Sequence, residues 1–314
     1  MPDSFQGHID AALSMYAQRY VNRDLIADIV APRVPVGRQS DKYWQWGRED
    51  MQGAAIDDTR APGAGAIMVT KTLSSDLYHC PDHARKAVIA DEEAANYDAG
   101  DLRQEYTGTL TNQVLLGHEY RTAQLLTTPG NFPSGNKVQL SSNDQWNSGD
   151  AAAQPVEDIM TGRDAIVAKT GMKPNVLVLG YQVYSGLKNN AALIERIKYT
   201  KLGNPNEQDL AQLFEVDRVV IGSAISRSAA GVNSYIWGKH AVLLYVQPTP
   251  SRTDISAAKT FVWTGAPGTS GGFQTAFYRH PEEDRKADVG HVHFYHNEKV
   301  TASDAMYLIE DAVA

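Results

Sequence analysis

In the stretch APRVPVGRQS, residues 31–40, Pro32 and Pro35 remove two backbone donors within four residues. Prolines so placed exclude both a helix interior and a central strand, so the chain here is expected to run as an extended arm over a surface. At about 3.3 Å per residue, this arm would reach roughly 33 Å. DKYWQW follows, with Trp44 and Trp46 on one face of a strand and Tyr43 on the other. A glycine-rich polar connection, MQGAAIDDTRAPGAGA, separates it from IMVTKTLSSDLY, which again reads as a strand. Together they make an extended hairpin, which alone is marginal in water and leaves both indoles wet. Such projections need a partner surface, on this chain or on another copy. Trp is also enriched among the buried anchors of protein contacts. The candidate subunit-interface residues are therefore Pro32, Pro35, Tyr43, Trp44, Trp46 and Arg48.

The rest of the chain can fold on its own. It has 314 residues with 42% hydrophobic and 21% charged content, enough for a sizeable core and inconsistent with long disorder. Residues 8–28 and the acidic segment 84–98 read as helical, and a stronger helix covers about 108–127. In that helix Leu116, Tyr120 and Ala123 recur at i, i+4, i+7, with Leu115 and Leu126 alongside, and TTPGN stops it. Pro155 opens a helix that ends at Gly171. NVLVLG is a buried-type strand, then short helices are expected in YQVYSGLKNNAALIERI and NEQDLAQLFEV, and DRVVIGSAI and YIWGKHAVLLYV complete a compact α+β segment. KTFVWTG, FQTAFYRH and HVHFYHNEKV look like antiparallel strands. The fold class is α+β.

Three short motifs invite an enzymatic reading. HVHFYH, residues 291–296, places His291 and His293 on one strand face, as a zinc site would. A catalytic zinc needs a third ligand and a base, no H-E-x-x-H pair exists, and the other histidines lack ligand spacing, so the strand reading prevails. HCPDH brings Cys80 near His83 without the second pair that a structural zinc requires. GTSGG puts Ser270 in a G-x-S-x-G frame, but the strand-like FQTAFYRH follows where a nucleophile elbow needs a helix. No catalytic, cofactor-binding or metal-ligating residue is assigned, and no enzymatic activity is expected. The single cysteine suits a reducing compartment, and no apolar run reaches the roughly 18 residues of a membrane helix. The net charge of −8 argues against gripping phosphates over a broad basic face.

DLIADIVAPRVPVGRQSDKYWQWGRED resembles the N-terminal arm and the start of the extended loop in major capsid proteins of tailed bacteriophages, which share the Hong Kong ninety-seven fold with encapsulin shells. The likeness continues in order through LLGHEYRTAQLLTTPGNF, QWNSGDAAAQPVEDIMTGRDAIVAKTGMKPNVLVLG, NEQDLAQLFEVDRVVIGSAI and YIWGKHAVLLYV. It implies an N-terminal arm over 1–40, an extended loop over 41–80, a peripheral domain with a long spine helix over 81–150, an axial domain over 151–249, and a return to the peripheral domain over 250–314.

The function implied is a structural head protein that assembles as pentamers and hexamers into an icosahedral shell around double-stranded DNA. The shell would be the virion capsid, assembled in the host cytoplasm, and an acidic subunit would let the packed duplex slide. A scaffolding protein, a portal and decoration proteins are the implied partners. The chain begins about 20 residues before the arm pattern, so a scaffolding segment is expected either to be removed already or to be a separate protein. Some members crosslink subunits through lysine. Lys71 is present, but no acidic catalyst is evident beside it. The alternative reading is an encapsulin-type compartment around a cargo enzyme.

Overall fold

The computed structural model describes residues 8–20, 24–46, 59–63, 65, 74–98, 100–197, 205–227 and 231–314. The chain begins with β1 (His8–Ile9), α1 (Ala11–Arg19) and α2 (Ala27–Val30), then β2 (Arg33–Val36), β3 (Ser40–Gln45) and β4 (Ser74–His79). β5 (Asp82–Ala90), α3 (Asp91–Asn96) and the long α4 (Leu102–Thr127) lead to β6 (Lys137–Gln139) and α5 (Pro155–Thr170). There follow β7 (Val176–Gly180), α6 (Tyr181–Leu187), α7 (Ala191–Ile197), α8 (Glu207–Leu213), β8 (Arg218–Gly222), β9 (Ile225–Arg227), β10 (Asn233–Tyr235) and β11 (Ala241–Leu244). The chain closes with β12 (Ala258–Trp263), β13 (Phe273–Arg279), β14 (Ala287–Val300) and β15 (Met306–Glu310).

Among the described residues two sheets dominate. In the five-stranded sheet, ordered β6-β15-β11-β7-β8, the inner strands β11 and β7 are apolar at every position. That pattern belongs to a sheet covered on both faces. Leu177, Leu179, Leu243 and Ile309 face one core with Ile159 and Ile166 of α5. Val178, Val242, Leu244 and Leu308 face the other core, with Ala123 and Leu126 of α4 and Val30 of α2. The six-stranded sheet is ordered β1-β13-β14-β12-β2, with β5 also on β14. Its buried face carries Val262, Phe273, Val292 and Phe294 against Leu110, Val114 and Leu115 of α4. The 26-residue α4, about 39 Å long, thus covers one sheet with its first half and the other with its second.

Several elements depart from expectation. Residues 84–98 are a nine-residue strand and then a short helix, because HARKAVIA pairs along β14 and helix begins only where Asp91, Glu92 and Glu93 can sit at its N-terminus. α4 starts earlier than 108, where Asp101 accepts from the N–H groups of Arg103 and Gln104. Its buried stripe includes the polar Thr111, His118, Glu119 and Thr122, while Tyr120 faces solvent. The proline arm contains a true strand: β2 pairs in parallel with β12 at the sheet's edge, a position where a missing donor is tolerated. β15 leaves the strands before it and joins β11 and β6 in the five-stranded sheet.

Candidate functional site

The base of the β3–β4 hairpin is fixed to its own chain. Tyr43 pairs with Asp76 and Asp41 with Tyr78 across the ladder, which turns both tyrosines inward. Their rings lie 5.2 Å and 4.8 Å from that of Phe261 on β12, the second pair stacked, beside buried Val34, Val36 and Cys80. The Tyr43 hydroxyl donates to Asp76 Oδ2 at 3.1 Å, and burial pushes its pKa up to about 12. Arg252 adds bonds to Asp41 Oδ2 and to the Lys42 carbonyl, at 2.9 and 2.6 Å.

The opposite face of the hairpin differs. Trp44 and Leu77 point outward on neighbouring strands and are 44% and 58% exposed. The candidate interface residues therefore separate. Pro32 and Tyr43 are buried within this chain, so for them the partner surface is this chain itself. Trp46 is half-buried, packed against the second core with its backbone N–H on the Thr301 carbonyl at 2.9 Å, so only one of the two indoles stays wet. Pro35 and Trp44 remain at the surface. Arg48 and Lys71 lie outside the described residues.

HVHFYH alternates within β14 as its period predicts. His291 and His293 face outward, with 2.5 Å between His291 Nδ1 and His293 Nε2 and 2.7 Å from His293 Nδ1 to Asp82 Oδ2. Val292, Phe294 and His296 face α4. There the structure assembles a group that no local motif announces. His118 Nδ1 lies 2.7 Å from Glu298 Oε1, and its Nε2 faces Asp28 Oδ1 at 3.6 Å. His296 Nε2 is 3.2 Å from Glu298 Oε1 and 2.6 Å from Arg121 Nη2. Burial and neighbouring cations push the His296 pKa down to about 3, with Glu298 opposing. Burial would also discharge His118, but Asp28 and Glu298 outweigh it and raise its pKa. Next to His118 in sequence, buried Glu119 accepts from the N–H groups of Ile26 and Ala27 at 2.9 and 2.7 Å and from Trp237 Nε1 at 2.5 Å, tying the arm to α4 and the second core.

The other motifs keep structural roles. Cys80 is buried, its thiol donates to the Phe261 carbonyl at 3.4 Å, and burial pushes its pKa up to about 12. His83 turns to the His296 ring instead, 4.5 Å away. Ser270 donates to Gln18 Oε1 and is followed by β13, not by a helix N-terminus.

No family model matches the chain. It is 31% identical over 249 residues to the major capsid protein of Pseudomonas phage JBD67, covering 76% of this chain and 77% of that protein. It is 30% identical over 238 residues to the major capsid protein of Burkholderia phage BcepMu, covering 76% of each. Among solved structures, a phage-related protein from Bordetella bronchiseptica RB50 superposes with a TM-score of 0.80 at 28% identity over 97% of both chains. The capsid of cyanophage P-SCSP1u (TM-score 0.59, 12% identity, 92% and 89% covered) shares the fold. So does the SrpI encapsulin of Synechococcus elongatus PCC 7942 (TM-score 0.56, 12% identity, 94% and 89% covered).

Proposed function

Because the chain belongs to the bacteriophage major capsid proteins of the Hong Kong ninety-seven fold, we propose that its outward hairpin face joins copies into pentamers and hexamers that enclose double-stranded DNA. The chain is a structural subunit of a capsid shell and is homo-oligomeric there. The observation that carries the finer reading is the Trp44–Leu77 face, an exposed apolar pair on a hairpin whose other face is committed to Phe261. Exposed apolar pairs on a rigid base are the kind of surface that a neighbouring copy buries. Each contact can be modest, because closed symmetry repeats it many times.

The same reading extends along the chain. Residues 1–40 act as an arm and 41–80 as an extended loop over an adjacent copy, with Pro35, Trp44 and Arg48 as contact residues. Residues 81–150, with α4 as spine, and 250–314 form a peripheral domain, and 151–249 an axial domain around the five- and six-fold centres. The net charge of −8 supports a container in which the duplex slides without sequence-specific binding. A scaffolding protein, a portal and decoration proteins complete assembly in the host cytoplasm, and the subunit does no chemistry of its own.

The test is electron microscopy of the chain produced in bacteria, alone and together with a scaffolding protein encoded beside it. Rings of five and six copies and closed shells holding nucleic acid are expected. Shells that instead hold one stoichiometric protein would move the reading to an encapsulin-type compartment. A monomer at high concentration in both preparations would overturn it.

A further inference from the structure

We propose that His118, His296 and Glu298 form a zinc site that staples the long helix α4 to strand β14. The three donor atoms come from two elements, and no two of them lie more than 4.8 Å apart. Glu298 Oε1 stands 2.7 Å from His118 Nδ1 and 3.2 Å from His296 Nε2. Donors held about 2.0–2.1 Å from a tetrahedral zinc ion lie about 3.3–3.4 Å from one another, so both contacts are somewhat shorter than the required spacing and open slightly around an ion.

The surroundings orient the rings as metal ligands are oriented. His296 Nδ1 lies 3.1 Å from the Phe294 carbonyl, which fixes the proton on Nδ1 and leaves the Nε2 lone pair free to take a cation, a place that Arg121 Nη2 fills at 2.6 Å. His118 Nε2 lies 3.6 Å from the Asp28 carboxylate, an ion-pair separation too long for a hydrogen bond, and Nδ1 is its inward nitrogen. Partners of this kind on the far nitrogen set the tautomer and raise the basicity of the near one. Two imidazoles and a carboxylate suit zinc among the common divalent ions. The His83 ring, 4.5 Å from that of His296, is the nearest further imidazole.

Arg121 is the opposing group. Its Nη2 lies 2.6 Å from His296 Nε2 and its Nε 3.2 Å from Glu298 Oε1, so the guanidinium supplies a positive charge at the edge of the site. Its side chain is 32% exposed, however, and can turn to solvent when an ion takes over that charge. His118 then releases its Nδ1 proton. A cavity of about 340 Å³ lined by Leu25, Asp28, Arg33 and His118 reaches one of the three ligands.

The test uses the full chain, stripped with a chelator and titrated with Zn²⁺ and with Co²⁺. One equivalent is expected per chain, with visible Co²⁺ absorption and a rise in Tm on adding Zn²⁺. His296→Gln should weaken binding at least about tenfold, as loss of one ligand or of its support does. The double variant His291→Gln/His293→Gln, which removes the outward pair, should bind as the parent does. Arg121→Gln should tighten binding, because it removes a competing cation. It also keeps the test open if His296→Gln fails to fold. Substoichiometric binding, loss of the ion with the outward pair, or weaker binding by Arg121→Gln would each overturn the site and leave a proton-filled salt bridge in its place.

Discussion

Lys259 is 1% exposed on β12, and its Nζ donates to the Asp254 carbonyl at 2.6 Å and meets Asp254 Oδ1 at 2.9 Å. Burial lowers the Lys259 pKa, and the Asp254 contacts oppose that. Burial would raise the Asp254 pKa, but hydrogen bonds from Lys259, Ser256 and Ser251 bring it below the usual carboxylate value. A carboxylate depressed in the folded state adds stability above its unfolded pKa of about 3.9, and that stability is lost as pH falls through the folded value. The Asp254 contribution should therefore be flat from neutral pH to about 5 and disappear at lower pH. Asp254→Ala strands a buried ammonium and should cost about 3–5 kcal/mol, whereas Lys259→Met should cost less. Denaturant unfolding of both variants at neutral pH checks the order; equal losses would contradict it.

Cys80 gives a second test at the same scale. Buried, with its pKa pushed up to about 12, its thiol should react with an aromatic disulfide reagent only as the chain unfolds. Immediate labelling in native buffer would contradict the packing around Phe261. Residues such as these show where sequence reading stops. The alternation of HVHFYH was legible because a strand's period is local. The buried partner of that strand was not, since His118 and Glu298 are separated by 180 positions and only the fold brings them together.

At the scale of elements, α4 joins two cores, and its effects should be felt in both. Leu126 is fully buried in the second core, so Leu126→Ala should destabilise the chain by about 2–5 kcal/mol. If one helix couples the sheets, chemical denaturation of the variant followed by near-ultraviolet circular dichroism should stay a single transition. Two separated transitions would mean that the cores unfold apart.

The helix was legible from its C-terminal stop, and part of its buried face from Leu115, Ala123 and Leu126, but its start and its buried polar residues were not. Hydropathy favoured Leu116 and Tyr120, whereas the stripe that packs includes Thr111, His118, Glu119 and Thr122. Two of these form bonds that hydropathy cannot register: Glu119 takes three N–H donors and His118 sits between two carboxylates. β7 and β11 were readable because continuous apolar runs fit a doubly covered sheet. β5 was not, because the acidic segment behind it favours a helix start and only pairing with β14 makes HARKAVIA a strand.

At the scale of the whole molecule, the arm and hairpin were read as surface that needs a partner, on this chain or on another copy. The structure narrows this. Pro32, Tyr43 and much of Trp46 are covered by the chain itself, which anchors the hairpin base and leaves the Trp44–Leu77 face outward. Burial within the chain was invisible in the sequence because Phe261, which receives Tyr43 and Tyr78, lies far along the chain on β12. An anchored base suits assembly, since the backbone under Trp44 and Leu77 is already ordered when copies meet. The most direct measurement is sedimentation velocity of the chain beside Trp44→Ser/Leu77→Ser under assembling conditions, with Tm as the control for folding. The account predicts fast-sedimenting particles for the parent, and slow-sedimenting, unassembled protein for the variant with its Tm unchanged. A variant that forms particles as fully as the parent would contradict it.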